Sequence, residues 1–600
     1  MSESQEAGRP GDAVNLSTYR PRLNRWGVTP WVFFPALVIV GGASLLTMLF
    51  PDQAGAALDV IQENVVGGFG WYYVLIVAGF VVFAIWMGAS RFGDIKLGKD
   101  DDQPEFSLMA WFAMLFAAGM GIGLVFWGAA EPLMHYDTPR PGVTDPNAIG
   151  DDGHGMEGIG AAGGRLAQTA MAQTYLHWGF HAWGIYVVVG LALAYAIHRK
   201  GRPVSIRWAL EPLLGAERVR GWLGDLIDTV AVIGTLFGVA TSLGLGVDQV
   251  AAGLESLGVI DDADTGTAVM LIVVITAVAT VSVVTGLGRG IKWLSNTNLV
   301  LAALFLVAML AIGPSLFLLR DLVQSTGGYV QNLVPMTFET GTYTGEAGQA
   351  WQGWWTTFYW GWWMSWAPFV GIFIARISRG RTIREFVAGV LIVPTAVTFL
   401  WFAVLGGSAL HRQLYGEGGL VDRAADDPFE RVVPENALFG LLDGLPWGGL
   451  LTVVAVVMVI VFFVTSSDSG SLVVDMLASG GNPDPPTWSR VMFAVLEGAI
   501  AAGLLLAGGL GALRTGAILT ALPFSVVMIL ICVATYRSLK AERRVTDAVE
   551  RRRRRDDLRR SVSRDITGEF AGNFEERLGT QVDERIEQAL GGRDGRGRNE

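Results

Sequence analysis

Tryptophans are concentrated in one short segment in the second half of the chain. Four of them lie within seven residues, at Trp360, Trp362, Trp363 and Trp366. The faces of such rings attract a trimethylammonium group, which has no N–H to donate, by up to about 2 kcal/mol per desolvated contact. Tryptophan also marks bilayer interfaces, and Trp354 and Trp355 fit that role. The four others extend about two turns further, so the segment predicts an aromatic cage for a cation.

A second aromatic group lies in an apolar stretch nearer the N-terminus. It contains Trp178, Trp183 and Tyr186, and the last two share a helix face. Packing against neighbouring helices is the alternative, and for such a group alone it is the more common arrangement. Because the first segment already predicts a cage, we interpret these rings as further walls of it.

Glycines interrupt another apolar stretch at every second position. Gly119, Gly121 and Gly123 alternate with Met120 and Ile122, and each glycine weakens a helix by roughly 1 kcal/mol relative to alanine. Unwound backbone survives in a bilayer only where protein or a water-filled cavity satisfies it. Close helix packing by small residues is the alternative. We predict a broken helix whose free N–H groups bind the anionic end of a ligand and whose carbonyls, including that of Met120, face an ion.

Hydroxyl side chains end the apolar run that precedes Asp468. Sodium prefers oxygen ligands, so Thr465 and Ser466, together with carbonyls of the unwound stretch, predict a sodium site. Thr241 and Ser242 are a weaker pair for a second sodium ion. In both cases the alternative is a hydrogen bond to the backbone of the same helix. Asp468 is either functional or locks two helices together.

The remaining chemistry-bearing residues indicate no enzyme. His177 and His181 are one helical turn apart, but no carboxylate or further histidine accompanies them, so we interpret them as packing and hydrogen-bonding residues. The single cysteine, Cys532, excludes disulfides within the chain. With no nucleophile–base pair, we expect no catalytic residue and no cofactor other than sodium as a coupling ion.

The composition indicates a membrane protein. Hydrophobic residues make up 51% of the 600 residues and charged residues 16%, whereas soluble domains carry about 25% charged residues. About twelve stretches are long enough to span a bilayer. With boundaries uncertain by a few residues, they are 29–50, 68–89, 107–129, 168–198, 222–255, 266–286, 297–320, 351–376, 385–410, 446–477, 489–508 and 511–536.

Basic residues alternate along the loops, as the positive-inside rule requires. With the N-terminus inside, the second, fourth, sixth and eighth loops are basic, as at Lys96 and Arg379, and only the tenth is weak. Most loops between them are poor in Lys and Arg, and one carries Asp261 and its acidic neighbours. We therefore predict a multi-pass protein of a bacterial cell membrane with both termini cytoplasmic. The net charge of −11 gives no indication of a nucleic-acid partner.

The C-terminal tail carries five consecutive arginines: Arg551, Arg552, Arg553, Arg554 and Arg555. A topology anchor is the simpler interpretation, but the run lies about fifteen residues beyond the predicted end of the last span. Anionic lipid attracts each such side chain by about 1 kcal/mol, and salt screens the attraction. We therefore predict a regulatory tail that responds to internal salt.

These segments together resemble the betaine/choline/carnitine transporter family over roughly residues 25 to 540. The resemblance rests on three signatures in order: the glycines of 119–123, the segment 178–183, and the segment 359–369 with the basic stretch 375–381. Members of the family that use protons tend to have Asp where this chain has Gly123. The resemblance therefore implies the sodium-coupled, betaine-type branch.

The resemblance implies an all-α integral membrane fold of about twelve transmembrane helices, ten of them in two inverted five-helix repeats, as in amino-acid/sodium symporters. It implies a homotrimer and a broken third and eighth span, and the sequence agrees on the breaks, because Pro368 and Gly371 follow the tryptophans. It further implies that the tryptophans and Tyr186 line the substrate path and that Thr465 and Ser466 hold sodium. The predicted domains are an N-terminal tail (1–28), two peripheral helices (29–106), the first repeat (107–323), an extracellular amphipathic connector (324–350), the second repeat (351–536) and a charged tail (537–600).

The resulting expectation is import of a quaternary-ammonium osmolyte such as glycine betaine by sodium symport with alternating access, for osmoprotection. Three alternatives stay open at this point. One is sodium-independent exchange of carnitine-like compounds, another is uptake of ectoine or proline, and the third is a membrane sensor that binds an osmolyte without moving it.

Overall fold

The computed structural model describes residues 23–119, 121–142, 161–285, 288–422, 424–425 and 428–591, and every α-helix, π-helix and 3-10 helix named below lies within them. The α-helices are α1 Pro30–Leu49, α2 Pro51–Ala89, α3 Leu108–Gly119, α4 Ile122–Asp137, α5 Ala161–Trp178, α6 Phe180–Ala194, α7 Glu211–Leu214, α8 Ala216–Arg220, α9 Trp222–Ser256, α10 Thr265–Thr285, α11 Gly288–Ile312, α12 Ser315–Thr337, α13 Gly345–Gln352, α14 Phe358–Ile377, α15 Ile383–Tyr415, α16 Pro434–Asp443, α17 Gly448–Ala478 and α18 Thr487–Gly591.

Nine helices among the described residues are long and apolar enough to cross a membrane. The number of twelve spans therefore stays a prediction. The difference between nine and twelve has a simple origin. The predicted third span is divided between α3 and α4, the eighth is α14 with its many tryptophans, which a hydropathy scale does not count as strongly apolar, and the last two both fall within α18. The chain is thus a multi-pass helical membrane protein.

The glycine stretch interrupts the helix as its spacing predicts. Helix α3 ends at Gly119, and α4 begins after Gly121, whose backbone is extended at φ −148° and ψ −174°. Met120 lies outside the described residues. Gly121, as the N-cap residue, gives α4 no side-chain cap, and the N–H of Leu124 donates to the Gly121 carbonyl at 3.2 Å. Among the described residues, the N–H groups before Leu124 are therefore the ones available to a ligand.

The predicted break in the eighth span is wrong. Helix α14 runs without interruption through Pro368 and Gly371, and the irregular segment is instead a π-helical turn at Gly353–Thr357, before the tryptophans. A proline removes one backbone hydrogen bond, which neighbouring helices can compensate inside a membrane protein. Helix α14 is tied to α18 in the turn before Pro368, where the Ser365 hydroxyl donates to the Ala517 carbonyl at 3.0 Å.

Two other segments differ from the predicted spans. The fourth span is kinked at Gly179, between α5 and α6, and the sequence analysis did not predict this. The predicted connector at 324–350 contains the second part of α12 and most of α13, and not one short helix. Helix α12 begins at Ser315, inside the predicted seventh span, because α11 ends at Ile312 and Pro314 precedes α12.

Asp468 has a locking contact of the kind that the sequence left open. Its Oδ1 atom accepts a hydrogen bond from Arg490 Nη2 at 2.9 Å, which ties α17 to α18. Both side chains are largely buried. We therefore interpret Asp468 as a residue that joins these two helices.

The chain divides into two compact units, one ending at Thr535 and one beginning at Tyr536. Within the first unit, α18 has non-helical backbone at Gly508 and Gly509, between the last two predicted spans. The second unit is helical to Gly591. The arginines at 551–555 are exposed there.

The site-bearing helices form the core of the first unit. Helix α14 packs against α6 and α9, while α4 packs against α5, α9 and α15. All four tryptophans of α14 that the sequence singled out lie in this environment, three buried and Trp366 half-buried. The glycine break and the aromatic segments are thereby brought together.

Candidate functional site

A small cavity lies where the break before α4 meets the aromatic residues, and we call it the cage cavity. It has a volume of about 40 Å³, which is room for roughly three water molecules. Nine of the residues predicted from the sequence line it, namely Gly121, Ile122, Gly123, Trp178, Trp183, Tyr186, Trp362, Trp363 and Trp366; Leu124, Ala182, Ser242 and Thr398 complete the lining.

The rings of the cage cavity touch one another at defined angles. Trp362 and Trp363 are stacked with centroids 4.6 Å apart, and Trp178 meets Trp363 edge-on at 4.9 Å and 70°. Tyr186 meets Trp363 at 73° and Trp183 at 76°. Contacts of this kind hold aromatic side chains in fixed orientations. The cavity therefore has stiff walls made of ring faces and edges.

Three indole N–H groups of these walls are already bound to protein acceptors. Trp178 donates to Glu131 Oε2 at 2.6 Å, Trp362 donates to Ser242 Oγ at 3.2 Å, and Trp363 donates to the carbonyl of His177 at 2.9 Å. Trp366 differs, because its buried Nε1 has no partner among the described residues. The first three rings therefore offer a ligand mainly their π systems, which suits a cation without N–H groups.

Gly123 is required by the approach of two of these rings. A Cβ atom at this position would stand 2.6 Å from Cη2 of Trp362 and 3.0 Å from Cη2 of Trp178. Both distances are shorter than a normal contact. Any side chain here would therefore either displace the two indoles or occupy the cavity itself.

Trp360 does not belong to the described lining of the cage cavity. Its ring is stacked on His181 at 5.1 Å and lies edge-on to His177 at 5.9 Å. The helix period alone does not explain this, because Trp360 lies three residues before Trp363, which lines the cavity, and residues at that spacing are neighbours on a helix. The prediction that Trp360 contacts the substrate has no support in this placement.

Glu131 is the polar centre of the site, and the sequence analysis missed it. Its carboxylate is fully buried and accepts hydrogen bonds on both oxygens. Oε2 accepts from Trp178 and from the Tyr359 hydroxyl at 2.5 Å, while Oε1 accepts from His177 Nδ1 at 2.7 Å and His135 Nε2 at 3.3 Å. The conclusion that no carboxylate or further histidine accompanies His177 is therefore wrong.

The Glu131 contacts fix two walls of the cage cavity at once. The carboxylate holds Trp178 directly, and it holds His177, whose carbonyl accepts from Trp363. Hydrogen bonds to a charged group contribute about 1.5–3 kcal/mol each. A signal was present in the sequence, because an ionisable residue inside an apolar span is functional by default and His135 is one helical turn away.

The hydroxyl pair predicted for sodium lies in a separate cavity, which we call the Thr465 cavity. It has a volume of about 130 Å³ and is lined by Ser295, Asn298, Trp366, Phe369, Val370, Phe373, Phe462, Thr465, Ser466 and Ser469. The Thr465 hydroxyl donates to the Val461 carbonyl of its own helix at 2.8 Å, as in the alternative of backbone bonding, so a sodium ion at this pair stays a prediction. Trp366 separates this cavity from the cage cavity and lines both.

The second hydroxyl pair is engaged in the protein. Thr241 lies within hydrogen-bond distance of two carbonyls, at 2.9 Å from Phe237 and 3.0 Å from Leu513. Ser242 is 3.4 Å from the Gly238 carbonyl and accepts from Trp362. These contacts match the alternative of backbone bonding, so a second sodium ion at this pair stays a prediction.

Comparison with known proteins decides the family. The sequence profile described as BCCT, betaine/carnitine/choline family transporter, matches residues 31–544 of this chain. The chain belongs to the betaine/carnitine/choline transporter family. Members of this family are transporters and not enzymes, in agreement with the expectation from the sequence.

Several relatives of this transporter carry a function in their names. The chain is 43% identical over 522 residues to the glycine betaine transporter OpuD of Bacillus subtilis, covering 87% of this chain and 96% of that protein. It is 40% identical to glycine betaine transporter 1 of Vibrio parahaemolyticus, over 89% of this chain and 98% of that one. An uncharacterised transporter of Mycobacterium tuberculosis is 50% identical over 84% of this chain and 82% of its own.

Three cavities of this transporter follow one another along α4 and α14. A polar cavity of about 310 Å³, which we call the His135 cavity, is lined by His135, Arg140, Arg165, Gln168, Gln173 and Trp351, among others. The Glu131 contacts separate it from the cage cavity, and Trp366 separates the cage cavity from the Thr465 cavity. The cage cavity thus lies between two partitions.

Proposed function

We propose that this transporter imports a quaternary-ammonium compatible solute, with glycine betaine as the first choice, by sodium symport with alternating access, and that the import serves osmoprotection. Two named glycine betaine transporters at 40–43% identity support the substrate class. The cage cavity supports it independently, through its chemistry.

The main support for the proposal is that three indole N–H groups of the cage cavity already donate hydrogen bonds within the protein. Because Trp178, Trp362 and Trp363 donate to protein acceptors, the cavity is poorly equipped to bind a sugar or another hydrogen-bonding solute through them. A trimethylammonium group needs only the ring faces. Three indole N–H donors are therefore occupied by the protein, and a quaternary ammonium compound needs no such donor. This agreement favours a quaternary ammonium compound as the ligand.

The N-terminus of α4 supplies the complementary feature for the carboxylate of the solute. The helix begins at Ile122 beside the cavity, and no side chain caps it. The unpaired N–H groups and the helix dipole favour an anion at that end. A zwitterion could therefore place its ammonium group among the rings and its carboxylate at this helix end.

Sodium is proposed to bind at Thr465 and Ser466, with a ligand from the unwound stretch around Met120. The support is a cavity that contains several hydroxyl groups and shares the Trp366 wall with the cage. An ion there would favour one position of Trp366 and thereby affect the solute. Ion and solute would then raise each other's affinity.

Alternating access is proposed to open the two partitions in turn. The inner partition would be Trp366 and the outer one the Glu131 contacts, with two inverted repeats moving against each other. We further propose a homotrimer with both termini in the cytoplasm of a bacterial cell, and a tail whose arginines at 551–555 bind anionic lipid and adjust activity.

Flux into proteoliposomes tests the proposal. Radiolabelled glycine betaine is expected to accumulate against its gradient with an inward sodium gradient, and not with potassium in its place. Accumulation in potassium, or exchange that requires solute on both sides, would contradict sodium symport. Binding without any flux would favour the osmolyte sensor, and stronger competition by ectoine or proline than by betaine would change the substrate.

A further inference from the structure

Two histidines and a carboxylate converge between α4 and α5, in the partition next to the His135 cavity. One nitrogen each of His135 and His177 and one oxygen of Glu131 lie within 4.8 Å of one another. All three side chains are at most 2% exposed. Two imidazoles and a carboxylate form the donor set that Zn²⁺ and its neighbours in the transition series prefer.

Two of the three separations between ligand atoms are close to those around such an ion, and the third is at most 4.8 Å. Zn²⁺ holds its ligand atoms at about 2.0–2.1 Å, so tetrahedral ligands stand about 3.3 Å apart. Glu131 Oε1 and His135 Nε2 are 3.3 Å apart, whereas Oε1 and His177 Nδ1 are 2.7 Å apart. The shorter separation is that of a hydrogen bond, and it would widen when an ion takes the place of the shared proton.

The surroundings can accept the proton that this exchange displaces. Both imidazoles have to change tautomer, because each carries its proton on the nitrogen that faces Glu131. On His177 the proton moves to Nε2, which lies 3.2 Å from the Thr356 hydroxyl and can donate to it, and on His135 it moves to Nδ1. The other oxygen of Glu131 keeps its bonds from Trp178 and Tyr359. Outer contacts of this kind orient the ligands of metal sites and strengthen their binding.

The site is also accessible and incomplete, as a binding site must be. His135 lines the His135 cavity, and Gln173, which is 3.1 Å from Nε2 of His177, lines it as well. The Nδ1 atom of His135 is buried and has no hydrogen-bond partner among the described residues. A cation that enters this cavity therefore reaches the side chain of His135, and water in the cavity can supply a fourth ligand.

We propose that Glu131, His135 and His177 form a binding site for a transition-metal cation of the Zn²⁺ class, which holds the outer partition closed. The ion would join α4 to α5 directly beside Trp178, at contacts that have to loosen when the solute passes. Bound Zn²⁺ is therefore expected to slow transport. Only this consequence for flux rests on the proposed function, since binding of the ion does not require it.

Binding is tested on the purified full-length protein by titration calorimetry with ZnCl₂. We expect one Zn²⁺ per chain, no competition from Mg²⁺, and the visible absorption of low-symmetry Co²⁺ when CoCl₂ replaces zinc. His135→Gln and His135→Asn should each weaken binding by at least about tenfold. The matched control is His411→Gln on α15, a half-buried histidine that packs against Phe317, and it should bind as the unchanged protein does.

The second arm measures glycine betaine uptake in proteoliposomes with and without external Zn²⁺. Uptake by the unchanged protein and by His411→Gln should fall and recover with EDTA, whereas uptake by the His135 variants should not respond to Zn²⁺. Absence of stoichiometric binding, or equal binding by a well-folded His135 variant, would overturn the site and leave a hydrogen-bond network only. Normal binding with zinc-insensitive uptake would overturn the closing role. Absence of uptake in every sample would count against the proposed function and not against the metal site.

Discussion

Removal of the Glu131 carboxylate is the sharpest test of how the cage is held. In Glu131→Ala, the Trp178 N–H and the Tyr359 hydroxyl lose their acceptor inside a fully buried region. The Trp178 ring is then free to turn away from the cavity. The ammonium group would lose one desolvated cation–π contact of about 2 kcal/mol, which corresponds to about a thirtyfold higher Kd.

Glu131→Gln should have a smaller effect, for a geometric reason. Its carboxamide oxygen can still accept from Trp178 and Tyr359, while its NH₂ group can donate to His177 once that ring changes tautomer. We therefore expect a Kd between those of the unchanged protein and the alanine variant. The graded order distinguishes a lost acceptor from a lost charge, because a purely electrostatic role would make both variants equally weak.

The assay is tryptophan fluorescence titration with glycine betaine at saturating sodium, on protein that elutes as one species in size-exclusion chromatography. Glu497→Gln is the matched control. Glu497 is also fully buried, but it accepts from Ser467 at 3.1 Å and does not line the cage cavity. Its variant should keep the normal Kd. A well-folded Glu131→Ala protein with near-normal affinity would refute the reasoning.

Three further predictions concern the walls, the ion and the tail. Trp366→Leu should weaken betaine binding by about 2 kcal/mol, or about thirtyfold in Kd, without loss of membrane insertion; fluorescence titration checks this, and an unchanged Kd would remove Trp366 from the cage. Thr465→Ala with Ser466→Ala should raise the sodium concentration for half-maximal uptake, and an unaltered sodium curve would leave both hydroxyls as backbone-bonding groups. Truncation after Ala541 should abolish the activation of uptake by high osmolality, and persistence of that activation would reduce the tail to an anchor.

Features with a local cause could be predicted from the sequence. The interruption after Gly119 agrees with the low helix propensity of glycine taken together with the aromatic segments, and the shared face of Trp183 and Tyr186 follows from helix periodicity.

Features that depend on distant partners could not be predicted. Glu131 meets His177 and Tyr359 across sequence separations of 46 and 228 residues, and no periodic pattern encodes such pairs. The continuity of α14 through Pro368 has the same origin, since contacts with other helices decide whether a proline breaks a helix. The kink at Gly179 likewise depends on what packs around it.

The double role of Trp366 has a consequence for the energetics of coupling. Its half-buried ring is a wall of both the cage cavity and the Thr465 cavity, and its side-chain freedom is lost when either cavity fills. A second occupant then meets a ring whose entropy has already been reduced, so the two bind cooperatively without touching and without any change in the mean structure. If the coupling arises in this way, the Trp366 side chain should move less when only the solute or only the ion is bound.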